Sequence, residues 1–444
     1  MSTSLANCLT ELSKQLNDYW ASTTTTTSTT TSIVDSALMA KANDWITDNT
    51  YDFILAEPAA AGTQLYEERK VSSLSNTAGT LTVLAHSGNI DSGSEAIAYE
   101  LHRLFSPSEK RIALVAAARR VYPTCYTEVW DETLVSGNWL KDGSFERWDS
   151  TGLILTDWTK SSANLTTTQT STLPYYKHGS YSAKLASTLT TDYLTHSITN
   201  LADLQFLRGR SATFTCQGWC DTASCLRLSI NDGTTQTYSS YHSGADTWTE
   251  DNPRNDGFYV TQYIDPNATQ VTFAIHHSVA AATSYVDDAR VISSPRSKVY
   301  IGHLGLAQNR PHQVLIEPSY YSQDEGWAVV RDWEVDPDGY LYIPTDYLSD
   351  RRLRIKGLKV LDFLASGVSS TAWTATIDID QPQLDILIAE AAVYLYTQMS
   401  LPNFESGTAG EYQKMMGYWK QELAEREARS GMRVPPLTTR WGVH

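Results

Sequence analysis

Thr213-Phe214-Thr215-Cys216-Gln217-Gly218-Trp219 and Val271-Thr272-Phe273-Ala274-Ile275 decide the fold. Both are short alternating runs, broken by turn residues such as Asn231-Asp232-Gly233 and Asp265-Pro266-Asn267. A period of two sends successive side chains to opposite faces of a strand, and many short strands between turns predict a two-sheet sandwich. This Thr/Ser/Tyr-rich texture extends from about Gly137 to Ile292 and is flanked on both sides by capped, strongly periodic helices. The expected fold class is therefore α+β and multi-domain: a scaffold of helices and small sheets carrying an inserted antiparallel β-sandwich.

The insert opens with Asp142-Gly143-Ser144-Phe145-Glu146, followed by Trp148 and Trp158. Its middle holds His178-Gly179-Ser180-Tyr181-Ser182-Ala183-Lys184-Leu185, and it closes with Tyr285-Val286-Asp287-Asp288-Ala289-Arg290-Val291. Taken together, these segments resemble the carbohydrate-binding jelly-roll modules grouped as families 4 and 9, over about a third of the chain. The resemblance implies a structural calcium held by the opening acidic residue and a closing aspartate, here Glu146 and Asp287 or Asp288. Calcium takes several oxygen ligands, and backbone carbonyls near Asp142 are the implied remainder. Asp142 stands where these modules commonly have Asn, which puts that ligand set in doubt. A host glycan is the implied ligand, and it needs exposed aromatic platforms. Trp158, Tyr175, Tyr176, Tyr238, Tyr241 and Trp248 are the candidates. The stretch Tyr238-Ser239-Ser240-Tyr241-His242-Ser243-Gly244 has the makeup of an adaptable polar loop.

With 444 residues, the chain has length for about three domains, each able to bury a core. It carries 50 acidic against 34 basic residues, a formal net charge of −16, and no basic run. That balance argues against tight binding to a phosphate backbone, which requires clustered Lys and Arg. A charged-then-apolar leader and an apolar run near 18 residues are both missing from the sequence, so a soluble protein made in the host cytoplasm, without membrane insertion, is expected. Three of the five cysteines, Cys216, Cys220 and Cys225, fall close together, but no second Cys pair matches them. His276-His277 is the nearby alternative, and neighbours on a strand point to opposite faces. Buried strand thiols are the plainer reading, for these three as for Cys8 and Cys125.

In the N-terminal flank, Leu5, Leu9, Leu12, Leu16 and Tyr19 form one apolar stripe at helical spacing. The Thr/Ser tract from Ser22 to Ser32 reads as an exposed or extended linker. Asp52-Phe53-Ile54-Leu55, Gly79 to Leu84 and Ala98-Tyr99-Glu100-Leu101 read as strands. Ser106-Pro107-Ser108-Glu109 is a complete helix start, with Ser106 as cap, Pro107 at the first helical position and Glu109 closing a capping box. In the C-terminal flank, Asp336-Pro337-Asp338-Gly339 marks a hairpin turn before Tyr340-Leu341-Tyr342-Ile343. Two helices are then striped by Leu384, Leu387, Ile388, Ala391, Tyr394 and Leu395, and by Tyr412, Met415, Trp419 and Leu423. The organisation expected is 1–136, insert 137–292, β-rich return 293–375, helical pair 376–431 and an extended tail 432–444.

None of the nucleophile-elbow, zinc-protease or phosphate-loop motifs occurs. Asp287/Asp288 and Asp332/Glu334 are carboxylate pairs of the kind glycoside hydrolysis uses, yet no catalytic turnover is expected. The flanks are similar to tailed-bacteriophage neck or head-to-tail adaptor subunits. The similarity rests on the N-terminal helix, the Thr-rich tract leading into Ile33-Val34-Asp35-Ser36, the Phe105-Ser106-Pro107 helix start and the closing helical pair. It implies a homo-oligomeric ring, a dodecamer if it matches portal symmetry, at the virion neck. Its partners would be portal and tail proteins, and DNA would pass an acidic channel unbound. Leu5, Leu9, Leu12, Leu16, Val434, Leu437 and Trp441 are the expected oligomer contacts. The leading alternative is a tail-associated glycan-binding adhesin, and the next is a glycoside hydrolase with an appended binding module.

Overall fold

The computed structural model describes residues 2–55, 65–90, 96–249, 258–293, 298–318, 326–344, 350–365, 367–400 and 409–434. Most of its regular structure is antiparallel β-sheet with few helices. The chain divides into two units, Met1–Thr127 with Val360–Val434, and Glu128–Lys359.

In the first unit the N-terminal helix Leu5–Gln15 is capped by Ser4, whose hydroxyl accepts from Asn7 N. The helix stops at Leu16, and Asn17 turns away at φ 55°, so Tyr19 falls beyond the stripe. Leu5, Leu9, Leu12 and Leu16 are buried, in one cluster with Leu114, Leu387 and Trp419 of the later helices. These four leucines were expected to contact ring neighbours and do not stand free for it. Their local partners lie far along the chain, in the helices Pro107–Arg120, Gln383–Ser400 and Ala409–Ser430. Each buried leucine contributes about 1.5–3 kcal/mol to this core rather than to an assembly. Val434 is exposed, whereas Leu437 and Trp441 lie outside the described residues.

Pro107–Arg120 starts as its sequence dictates. Ser106 Oγ accepts from Glu109 N at 3.2 Å, and Glu109 Oε2 accepts from Ser106 N at 2.8 Å. Its Lys110 is fully buried, held by Asp18 Oδ2, Ser13 Oγ and His102 Nδ1, each at 2.9 Å. The Ser22–Ser32 tract is not a linker. Trp20–Thr23 pairs with Ala98–His102, and Ser32–Val34 pairs with Thr80–Val83 in a six-stranded sheet. Between them, buried Thr24 and Ser28 accept from Ile97 N and Val34 N, both at 3.0 Å. β-branched Thr suits a strand, and its hydroxyl can satisfy backbone donors there.

The second unit holds the sandwich. Its strands are β1 (Thr159–Lys160), β2 (Thr166–Thr170), β3 (Ser182–Ala186), β4 (Asp192–Ile198), β5 (Ser211–Cys220), β6 (Leu226–Asn231), β7 (Gln236–Tyr238), β8 (Tyr259–Tyr263), β9 (Val271–His277) and β10 (Thr283–Ile292). They form two five-stranded sheets in the orders β2-β3-β10-β5-β8 and β7-β6-β9-β4-β1. Leu185, Phe214, Val286 and Val291 from the first meet Leu194, Leu228, Phe273 and Ile275 from the second in one core. Phe214 and Phe273 touch edge to face at 5.7 Å.

The Asp142–Glu146 opening is a tight turn against β10. Ala289 N donates to Gly143 O at 2.6 Å, and a Cβ at Gly143 would stand 2.0 Å from Ala289 O, which only glycine tolerates. Also in this unit, the 336–339 turn joins Glu334–Val335 to Tyr340–Tyr342 with Gly339 at φ 80°. Leu353–Lys359 runs as one continuous strand.

Candidate functional site: a polar groove on one sandwich face

The alternation that builds β4, β6, β7 and β9 also builds a site. Leu226, Leu228, Ile230, Phe273 and Ile275 point into the core with no exposure, so the residues between them must face outward. Strand register then sets those outward residues in rows. Arg227, His276 and Tyr193 face one another across β6, β9 and β4. Tyr238, Ser229, Ala274 and Thr195 form the next row, and Gln236, Asn231, Thr272 and Ser197 the third.

These rows, Ser197 apart, and Thr190, Thr191, Gln270 and Ser278 at the rim line a groove of about 480 Å³. Tyr193 and Tyr238 flank the His276 ring at 5.2 and 5.5 Å and remain 38% and 42% exposed. That exposure is enough to present a ring face to a ligand. Tyr241, 45% exposed, stands beside them through Arg227, whose guanidinium lies 4.1 Å from the Tyr238 ring centre and 4.9 Å from that of Tyr241. Ser229 Oγ and His276 Nε2 are 2.8 Å apart, and Gln236 Nε2 donates to Ser229 Oγ at 3.2 Å. Burial, seconded by the Arg227 charge, lowers the His276 imidazole to about 4, so the ring is neutral around pH 7. His277, its neighbour in sequence, points the other way into the core beside Cys225 and Ser284. All five cysteines are free and buried.

Of the aromatic platforms expected from the sequence, the structure brings Tyr238 and Tyr241 to this groove and takes the others elsewhere. Trp158 is a core residue: it stacks on Phe145 at 5.1 Å, and its indole N–H donates to Asp142 O at 2.8 Å. Its large apolar face completes the core under the opening turn. Tyr175 and Trp248 lie with the other sheet. Tyr175 stacks on Tyr285 at 4.3 Å, Trp219 meets Tyr175 at 5.5 Å and Trp248 at 5.8 Å. Both indoles there are engaged, Trp219 Nε1 with Asp246 Oδ1 and Trp248 Nε1 with Pro174 O. The groove residues that sequence reasoning missed are Tyr193, Arg227 and His276. Parity within each strand was a usable signal for their facing outward, but not for their meeting.

Glu146, Asp287 and Asp288 do not assemble as calcium ligands. Among the described residues, no group of three or more His, Cys, Asp or Glu side chains is placed to hold a metal. Glu146 Oε1 accepts from Ser180 N and Tyr181 N at 2.7 and 2.9 Å, and Asp287 Oδ2 from Lys177 N and His178 N at 2.7 and 2.9 Å. Asp288 is gripped by the Arg290 fork at 2.9 and 2.6 Å. The residues present therefore do not fit the expected cation: each of the three carboxylates is already held by backbone or Arg290 donors, and they form no shared ligand group among the described residues. Burial raises the Glu146 carboxyl to about 7 and Asp142 to about 6.

No protein-family model matches the chain, and no curated protein matches it. Solved structures similar to it include the enzymatically active domain of tailspike protein 4 from bacteriophage CBA120, at 14% identity and a TM-score of 0.27. That likeness covers 35% of this chain and 21% of the tailspike chain. TmCBM61 in complex with beta-1,4-galactotriose is 15% identical over 35% of this chain and 99% of its own, with a TM-score of 0.26. The CBM22-1 xylan-binding domain of Paenibacillus barcinonensis Xyn10C is 14% identical over 38% of this chain and 99% of its own, again with a TM-score of 0.26.

Proposed function

We propose that the sandwich binds a glycan in the β4–β6–β7–β9 groove and that the protein acts as a glycan-binding adhesin. The observation that carries this reading is the pair of half-exposed tyrosines, Tyr193 and Tyr238, flanking a neutral His276 on a floor of Ser, Thr, Asn and Gln side chains. Sugars present apolar C–H faces edged by hydroxyls, so they match aromatic platforms set among amide and hydroxyl groups. The reading is of binding without turnover. The buried Asp287/Asp288 pair belongs to the opposite sheet, and Asp332 and Glu334 are exposed outside the groove.

The connector reading keeps Val434 as its one exposed contact among the described residues, its N-terminal leucines being buried. Affinity electrophoresis of the full chain through gels containing bacterial polysaccharides tests the glycan reading. At least one polysaccharide should retard the protein, and Tyr193→Ala or Tyr238→Ala should weaken that retardation about tenfold, roughly 1.4 kcal/mol, with unchanged melting. Free migration in every gel would sink it.

A further inference from the structure

The groove's charge is as specific as its shape. Among the described residues, Arg227 is the one ionised side chain lining it: the others are Thr, Tyr, Ser, Asn, Gln, Ala and a His held neutral. Its Nε is buried, and no hydrogen bond or ion pair to Arg227 is formed among the described residues. What it has instead is two tyrosine rings, centred 4.1 and 4.9 Å away, which hold the guanidinium without neutralising it. An arginine so placed is a vacant half of a salt bridge. A buried Nε–H without an acceptor is costly, and a planar fork of N–H groups fits a carboxylate by two parallel hydrogen bonds.

Two other arginines of this unit show the contrast. Arg290 is matched by Asp288 and Asp350, and Arg147 by Asp157. The chain as a whole carries 50 acidic residues, yet none of the described ones lines the groove. On a chain of net charge −16, one uncompensated cation in the groove admits an anion there while the net charge disfavours it elsewhere.

Resting on the glycan-binding reading, we propose that the groove takes a uronate-bearing glycan, with a sugar carboxylate paired to Arg227. The row Arg227–His276–Tyr193 then gives the ligand its order. The acidic sugar sits at the Arg227 end, and a neighbouring sugar ring lies on Tyr193, two strands away, about 10 Å at ordinary strand spacing.

The test uses the full chain and isothermal titration against polygalacturonate, alginate and hyaluronate. Each is offered as the acid and as its methyl ester, with galactan and xylan as neutral probes and dextran sulfate as a non-carboxylate anion. At least one acid should bind tenfold or more tighter than its own ester, with the preference shrinking as salt rises. Arg227→Gln should abolish the preference, and Arg227→Lys should retain part of it, since the charge remains and the fork does not. Thermal melts of both variants confirm that they fold. Equal binding of acid and ester, or a preference unchanged in Arg227→Gln, overturns the inference while leaving glycan binding intact. Binding to the neutral probes alone does the same, as does dextran sulfate binding as tightly as the best uronate. Failure to bind any probe removes both readings.

Discussion

The two outer faces of the sandwich are built from the same strand chemistry and end up with opposite characters. On the β2-β3-β10-β5-β8 sheet, Tyr175, Tyr285, Trp219 and Trp248 interlock, and both indole N–H groups there find acceptors within the chain. On the other sheet, Tyr193, Tyr238 and the neighbouring Tyr241 remain 38%, 42% and 45% exposed, and Arg227 has no ion-pair partner among the described residues. Aromatic content alone therefore does not mark a binding face. A closed aromatic cluster tethers loops, whereas an open one with unsatisfied polar atoms is available to a ligand.

The largest effect that would test this contrast comes from the core both faces share. Phe273→Ala should cost about 3–5 kcal/mol, because the cavity opens against Phe214 and does not collapse fully. Urea titration of the folded protein measures it, and a loss under about 1 kcal/mol would mean the two sheets do not depend on one core.

Next comes Trp219→Ala on the closed face. It should lower stability by about 2 kcal/mol through lost stacking and burial while leaving polysaccharide retardation unchanged. A tenfold loss of retardation in that variant would erase the distinction between the faces.

The smallest effects are in pH dependence, and they run in opposite senses. Glu146, anchoring the loop that follows Tyr175, has a folded value of about 7 against an ordinary 4.5. The folded state binds more protons than the unfolded chain in that window, so this contribution is full below about 4.5 and lost as pH rises through 7. His276 in the groove is lowered from 6.5 to about 4, so its contribution is present above 6.5 and lost as pH falls through 4. Glu146→Gln should flatten the neutral side of the stability profile, and His276→Gln the acid side. Thermal melts across the range check both, and a profile unchanged by either substitution counts against these assignments.

How much of this was legible in the sequence depends on how local each signal is. The Ser106–Glu109 helix start is a contact among four consecutive residues, and the structure forms it in full. The 336–339 turn and the alternation of β5 and β9 are equally local. The Ser22–Ser32 tract shows the limit. Composition suggested a linker, but pairing with Ala98–His102 and Thr80–Val83 made its ends strands. Leu5, Leu9, Leu12 and Leu16 show the same limit, since their stripe was legible and the helices that cover it were not. Trp158 was legible as a large aromatic, but not as one buried beneath the opening turn.

The sequence by itself determined that His276 and His277 face opposite ways, because side-chain parity is a property of the extended backbone. Only the tertiary structure decided that Arg227, His276 and Tyr193 stand in one row, since register between strands distant in the chain is set by pairing and core packing across the whole sheet. The same long-range packing interlocked Tyr175, Tyr285, Trp219 and Trp248 on one face of the sandwich and set half-exposed Tyr193 and Tyr238 beside His276 on the other.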